Sequence, residues 1–209
     1  MTVEWRIDAA PRVEQVSQIA GVLTGGGVVL LPTDTVYGLH ALALNEQAVK
    51  RVAEIKGRED TKPFLVLASA VAQLALLGIS APPGILAALE TIWPAPLTVI
   101  LPLRNPVPAS RGAATLAVRI PALGWLRELV SRTGPLLSTS ANRSGEPVVA
   151  SPAALGGELR EALDGVVDGG VLEGEPSAIL DLTSAEPYFI REGEFSFTQN
   201  VWKSLRKTP

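Results

Sequence analysis

Residues 31–42 read LPTDTVYGLHAL, and the reading of this stretch decides the rest. The preceding run, Val28-Val29-Leu30-Leu31, has the aliphatic, β-branched makeup of a buried strand and leads directly into Pro32. A strand end needs only Gly, Asn or Asp to turn the chain. Here Thr33, Asp34, Thr35 and Tyr37 occupy it instead. Hydroxyls and a carboxylate at a strand end can orient a small polar ligand through hydrogen bonds. The same residues also suit a turn followed by a helix cap. Composition alone leaves both open.

Outward from this stretch, helical and strand patterns intermix. Val3–Ile7 alternates weakly, as an edge strand does. Pro11 opens a helix whose one face carries Val13, Val16, Ile19/Ala20 and Leu23, and Gly25-Gly26-Gly27 stops it. Asn45 is placed to cap a helix carrying Ala48, Val52 and Ile55. Phe64–Leu67, Leu97–Leu103, Thr115–Ile120, Pro135–Thr139, Gly165–Val167, Ala178–Leu182 and Tyr188–Arg191 read as strands. Helices are expected over 70–77, 83–92, 123–132 and 198–205. With no repeat, low-complexity tract or linker, the pattern predicts one α/β domain over residues 1–209.

Composition excludes several chemistries. The chain has no cysteine, so disulfides, thiolate catalysis and cysteine-held metals are out. Its single histidine, His40, rules out a multi-histidine metal site, and no G-x-S-x-G elbow accompanies it. His40 reads most simply as a strand or loop residue. The triple glycine precedes its strand and lacks a following Gly-Lys-Ser/Thr, so it is a helix stop and not a phosphate loop. A net charge of −3 argues against a wholesale nucleic-acid binder. Neither a leader-like start nor an apolar run of about 20 residues is present, which predicts a cytoplasmic protein without membrane contact.

Three further stretches carry candidate chemistry. In KGREDTK (56–62), Lys56, Arg58 and Lys62 sit at and just after a helix end. They are either a solvated end that favours the helix dipole or an anion clamp. LLSTSANRSGEP (136–147) delivers Ser138, Thr139, Ser140 and Asn142 from a buried strand, then Arg143, Ser144 and Gly145. These suit phosphate contacts or a plain polar turn. In TLAVR (115–119), alternation puts Thr115, Ala117 and Arg119 on one face, where a buried arginine needs an anionic ligand or an internal partner.

Together these segments resemble the YrdC family, the threonylcarbamoyl-AMP synthases that start the threonylcarbamoyl modification of tRNA. The resemblance rests on PTDTVYGL (32–39), Lys56-x-Arg58, WPAPLT (93–98), AVRIP (117–121) and Ser140-x-Asn142, all in the family's order. It implies an α/β fold, a twisted mixed sheet flanked by helices around a concave basic cleft. It implies Lys56 and Arg58 as catalytic residues and Lys56, Arg58, Thr115, Ser140, Asn142 and Arg191 as the ATP site. It further implies Thr33, Arg119, Ser138 and Ser177 as the threonine site, forming a pocket at the sheet's edge, with Mg²⁺ accompanying ATP. Departures are His40, where the family often has Gly, and Glu192, where Arg-Pro-Gly is usual. The chain is also expected to lack the longer relatives' C-terminal domain.

The implied reaction joins L-threonine, bicarbonate and ATP into threonylcarbamoyl-adenylate and pyrophosphate, for a downstream tRNA threonylcarbamoyl transferase machinery. Such chemistry needs positioning and charge neutralisation, not a protein nucleophile. An RNA-binding maturation factor using the same cleft, with weak RNA binding, is the competing reading. Against it, Trp5, Trp93, Trp125 and Trp202 are not interleaved with basic runs. A carbamoyl transferase using carbamoyl phosphate is a third.

Overall fold

The structure is a computed structural model that describes residues 2–57, 61–143, 147–184, 186–193, 195 and 205. Arg58, Ser144, Gly145 and the expected helix over 198–205, apart from Leu205, lie outside the described residues.

The strands are β1 (Val3–Arg6), β2 (Val29–Leu31), β3 (Gly38–Leu42), β4 (Leu65–Leu67), β5 (Leu97–Pro102), β6 (Thr115–Arg119), β7 (Leu136–Ser140), β8 (Gly165–Asp168), β9 (Ala178–Asp181) and β10 (Tyr188–Arg191). They form one mixed sheet in the order β1-β8-β2-β3-β7-β4-β6-β5-β9-β10. The helices are α1 (Val13–Thr24), α2 (Glu46–Ile55), α3 (Pro83–Ile92), α4 (Gly124–Thr133) and the short α5 (Gly157–Glu161). Residues 71–77 form a 3₁₀ turn. No helix among the described residues is long and apolar enough to cross a membrane.

Local chemistry explains the boundaries. Asn45 caps α2, its side-chain oxygen accepting from the Ala48 amide at 3.1 Å. The glycines after α1 stop it as read: the Gly25 amide returns to the Gly21 carbonyl, and Gly26 takes φ +86°. A side chain at Gly27 would collide with Val22, 2.7 Å away. Val13, read with the buried face of α1, is its first residue and is 65% exposed.

The sequence reading omitted β3. The chain does not turn into a helix after residue 37; it returns antiparallel to β2, with Leu31 opposite Gly38 and Val29 opposite His40. Glycine and histidine hide the period-2 pattern that Leu39 and Ala41 carry on the other face. Residues 32–37 are thus the loop between two central strands.

Strand register then builds the site. On one face, Leu30, Leu39, Ala41, Val66, Val99, Val118 and Leu137 join Ala48 and Val52 of α2 and Ile85 and Leu89 of α3 in the larger core. The other face changes character along each strand. Trp5, Val29, Leu31, Leu67, Leu136 and Val167 lie under Val16, Ile19 and Leu23 of α1 and Trp125, Leu126 and Leu129 of α4. Further along β3, Leu42 gives way to His40 and Gly38; along β7, Leu136 gives way to Ser138 and Ser140, which oppose His40 and Gly38. Where the aliphatic side chains end, a cavity opens.

Candidate active site

The cavity has a volume of about 490 Å³, within the range that holds small ligands. Its floor is the polar part of the sheet face: Gly38, Ser138, Ser140, Ala117, Arg119, Thr98 and Ile179. Thr33 and Thr35 come from the β2–β3 loop, Pro63 and Phe64 from the approach to β4, and Pro176, Ser177 and Arg191 from the far strands. It lies over the middle of the sheet, not at its edge as expected, because the motif loop joins two interior strands.

The motif loop is held by its own hydroxyls. Thr33 Oγ1 donates to the Val36 carbonyl at 2.7 Å and accepts from the amides of Thr35 and Val36 at 3.1 and 3.2 Å. Proline at 32 and this side-chain turn fix the loop locally. Thr35 Oγ1 accepts from the Arg119 guanidinium at 2.9 Å. Asp34 accepts from the Ala122 amide at 2.9 Å, while its other oxygen stands 3.4 Å from the guanidinium, close enough to pair but without hydrogen-bond alignment. Arg119 is 2% exposed, and its Nε is closed off with no hydrogen-bond partner among the described residues. Burial lowers its pKa from the ordinary value, Asp34 opposing and Arg191 adding to the shift. The buried arginine thus has the internal partner that its strand position called for, and its guanidinium also lines the cavity wall. A guanidinium at that wall can take an oxygen of an anionic ligand.

The remaining walls are hydroxyl-rich. Ser138 Oγ lies 3.1 Å from His40 Nε2, and Ser177 Oγ lies 2.8 Å from Thr98 Oγ1. Arg191 donates twice to the Ser177 carbonyl, at 2.9 and 2.7 Å. His40 is fully buried, and desolvation lowers its pKa to about 3, so it is a neutral ring. It reaches the cavity only through Ser138.

At the end of β7, Lys56 is 4% exposed. Its ammonium donates to the Ser140 carbonyl at 2.8 Å and to Asn142 Oδ1 at 2.6 Å, with Ser140 Oγ 3.4 Å away. Ser140 Oγ donates to the same Asn142 oxygen at 2.5 Å. Of the two readings of Lys56 the solvated helix end is excluded: it is the residue after α2, turned inward against β7.

A strap over 170–177 crosses the motif loop. Tyr37 holds one end, its hydroxyl accepting from the Gly169 amide at 2.9 Å and donating to the Gly170 carbonyl at 2.8 Å. Gly174 sits so close to Thr35 that a Cβ there would stand 1.8 Å from the Thr35 carbonyl oxygen.

The fold thus brings Thr33, Arg119, Ser138, Ser177, Ser140 and Arg191 to one cavity, with Lys56 and Asn142 joined to it through Ser140. Thr115 shares the strand face of Ala117 and Arg119 but does not line the cavity. The sequence reading left Thr35, Thr98, Tyr37 and Gly174 without roles. Thr35, Tyr37 and Thr98 stood inside quoted motifs, but nothing in the sequence singles out Gly174.

Comparison with known proteins follows the same lines. The Sua5/YciO/YrdC family model, described as "Telomere recombination", matches residues 21–193. The threonylcarbamoyl-AMP synthase of Pyrococcus abyssi is 35% identical over 194 residues, covering 91% of this chain and 54% of that protein. The synthase of Pseudomonas paraeruginosa is 36% identical over 171 residues, covering 80% and 92%. The chain spans little more than half the length of the Pyrococcus and Bacillus subtilis relatives, 54% and 58%. Among solved structures, P. abyssi Sua5 complexed with L-threonine superposes with a TM-score of 0.79 at 32% identity, covering 91% of this chain and 57% of that one. Escherichia coli YciO shares the fold, with a TM-score of 0.82 at 24% identity over 94% of this chain and 98% of that one. With its motifs carried on this sheet and the match running from α1 to just past β10, the chain belongs to the Sua5/YciO/YrdC family.

Proposed function

We propose that the protein is a threonylcarbamoyl-AMP synthase, a nucleotidyltransferase that makes threonylcarbamoyl-adenylate and pyrophosphate from L-threonine, bicarbonate and ATP. The observation that carries this reading is one cavity lined by the threonine candidates together with Ser140 and Arg191, with Lys56 and Asn142 joined to it through Ser140, in a chain whose relatives bear that name and whose fold matches a Sua5 solved with L-threonine. The comparisons do not favour the RNA-binding alternative.

In this reading Arg119 holds the amino acid's carboxylate with its guanidinium at the cavity wall, beside Thr33, Ser138 and Ser177. The threonine amine and bicarbonate give a carbamate with loss of water. A carbamate oxygen then attacks the α-phosphorus, and the bond to the pyrophosphate oxygen breaks. Two anions must meet, so the barrier falls when positive charge and donors are already in place. Lys56, Ser140 and Asn142 supply them at the end of β7, with Arg58, Arg191 and Thr115 assigned to the nucleotide by resemblance. Magnesium would accompany ATP and offset part of its phosphate charge; among the described residues no His/Cys/Asp/Glu cluster would hold it. The product goes to a tRNA threonylcarbamoyl transferase machinery, which puts the protein in the cytoplasm.

The test is pyrophosphate release with ATP, L-threonine and bicarbonate, each omitted in turn. Dependence on all three is expected. Release without threonine, or no release together with tight, salt-sensitive RNA binding, overturns the proposal.

A further inference from the structure

His40 is buried in the floor of the cavity and takes no direct part in the site described above. Its ring lies over Gly38: a Cβ at that position would stand 2.9 Å from His40 Cε1 and 3.4 Å from Nε2. Glycine at 38 therefore makes room for the imidazole, and the imidazole makes contact with Ser138 alone among the cavity hydroxyls. Among the described residues Nδ1 has no geometrically aligned hydrogen-bond partner, and Nε2 lies 3.1 Å from Ser138 Oγ; the Gly38 and Val29 backbones also act on the ring. Ser138 is 6% exposed and lines the cavity.

A serine hydroxyl has one donor and two acceptor directions and rotates freely about its Cβ–Oγ bond unless a partner fixes it. A neutral imidazole nitrogen is either a donor or an acceptor, and in either tautomer it fixes that rotor. One direction of Ser138 is then committed to the floor, which leaves the others for a ligand in the cavity that Ser138 lines.

We propose that His40 is a positioning residue: it locks the Ser138 hydroxyl so that it meets the side-chain hydroxyl of a β-hydroxy amino acid held at Arg119. The inference rests on the synthase reading and adds to it the discrimination between threonine and valine, which match in shape and differ by a hydroxyl for a methyl. A site built to hydrogen-bond a hydroxyl rejects the analogue that lacks it by leaving its own polar group unpaired. An unlocked serine meets the threonine hydroxyl less well, so part of the preference for threonine is lost.

The experiment measures binding of L-threonine and L-valine by calorimetry, and KM for threonine and for ATP, in the parent, His40→Phe, His40→Gln, Ser138→Ala and the His40→Phe/Ser138→Ala double variant. His40→Phe is expected to weaken threonine about three- to tenfold, the net worth of one hydrogen bond, and to leave valine and the ATP KM unchanged. His40→Gln, whose amide reaches the place of Nε2, restores most of the loss. In the Ser138→Ala background the histidine substitution has no further effect on threonine. Equal weakening of threonine and valine, multiplicative effects in the double variant, or no rescue by glutamine overturns the inference. Should His40→Phe fail to fold, His40→Gln and Ser138→Ala decide: Gln must hold parental discrimination between threonine and valine, and Ala must lose it. A parent that binds no threonine removes the synthase reading and this inference with it; a parent that binds threonine with unaltered variants removes this inference alone.

Discussion

Lys56 Nζ lies 2.6 Å from Asn142 Oδ1, across 86 positions of sequence. The first residue beyond α2 and the second beyond β7 meet because α2 packs on β3 and β3 pairs with β7 along five residues. The contact joins two of the scattered motifs into one cluster with Ser140 between them.

Lys56→Ala is expected to lower pyrophosphate release on the order of 100- to 1,000-fold, as the loss of one donor at a developing phosphate charge does. Because Lys56 is buried against Ser140 and Asn142, the same change should also cost about 1–3 kcal/mol of stability. Calorimetric melting alongside the rate measurement separates the two. A parental rate takes Lys56 out of the nucleotide site.

Arg119→Ala should raise the threonine KM at least tenfold, by removal of a charge-assisted bond to the carboxylate. It also strands Asp34, whose side chain is 10% exposed, at a cost of roughly 3–5 kcal/mol. The double variant Asp34→Asn/Arg119→Ala is expected to regain part of the melting temperature and none of the threonine affinity. Recovery of affinity in the double variant would assign Arg119 to the fold alone.

Gly174→Ala puts a methyl group against the Thr35 carbonyl, 1.8 Å away without movement. The strap must lift, and a displacement of this size near a reacting group costs on the order of 100-fold in rate. Gly21, exposed in α1 with open space around it, is the contrast: Gly21→Ala should stabilise by about 0.5–1 kcal/mol and leave the rate as it was. Unchanged kinetics in Gly174→Ala would show that the strap has no part in the reaction.

Stability should fall with acid through His40. Burial holds its folded-state pKa at about 3, whereas the unfolded chain takes up the proton near pH 6.5. The unfolded state therefore binds more protons between those values. The contribution is complete above about pH 6.5 and is lost at about 1.4 kcal/mol per unit as pH falls towards the folded-state value. Between pH 6.5 and 5, above most carboxylate titrations, the melting temperature of His40→Phe should depend on pH less steeply than the parent's. Identical slopes would mean that His40 titrates alike in both states.

How much was legible follows from the range of each interaction. The Asn45 cap, the glycine stop after α1 and the aliphatic runs of β2, β5 and β7 act between near neighbours, so they can be read directly. β3 was not, because Gly38 and His40 lie on the polar face of the sheet, under the site, and break the alternation that marks a strand. Lys56 looked like a solvated cation because its acceptors come from a strand far along the chain.

By itself the sequence determined the residue types available to the chemistry: no thiol, one histidine, and hydroxyls, cations and an amide gathered in short motifs. It also determined most of the elements that carry them, because capping, turn and periodicity signals are local. Only the tertiary structure decided that Arg119 is held by Thr35 and Asp34, that Ser138 rests on His40 and that Gly174 lies against Thr35. Those contacts depend on strand order and register, where a shift of one residue would turn every side chain to the other face.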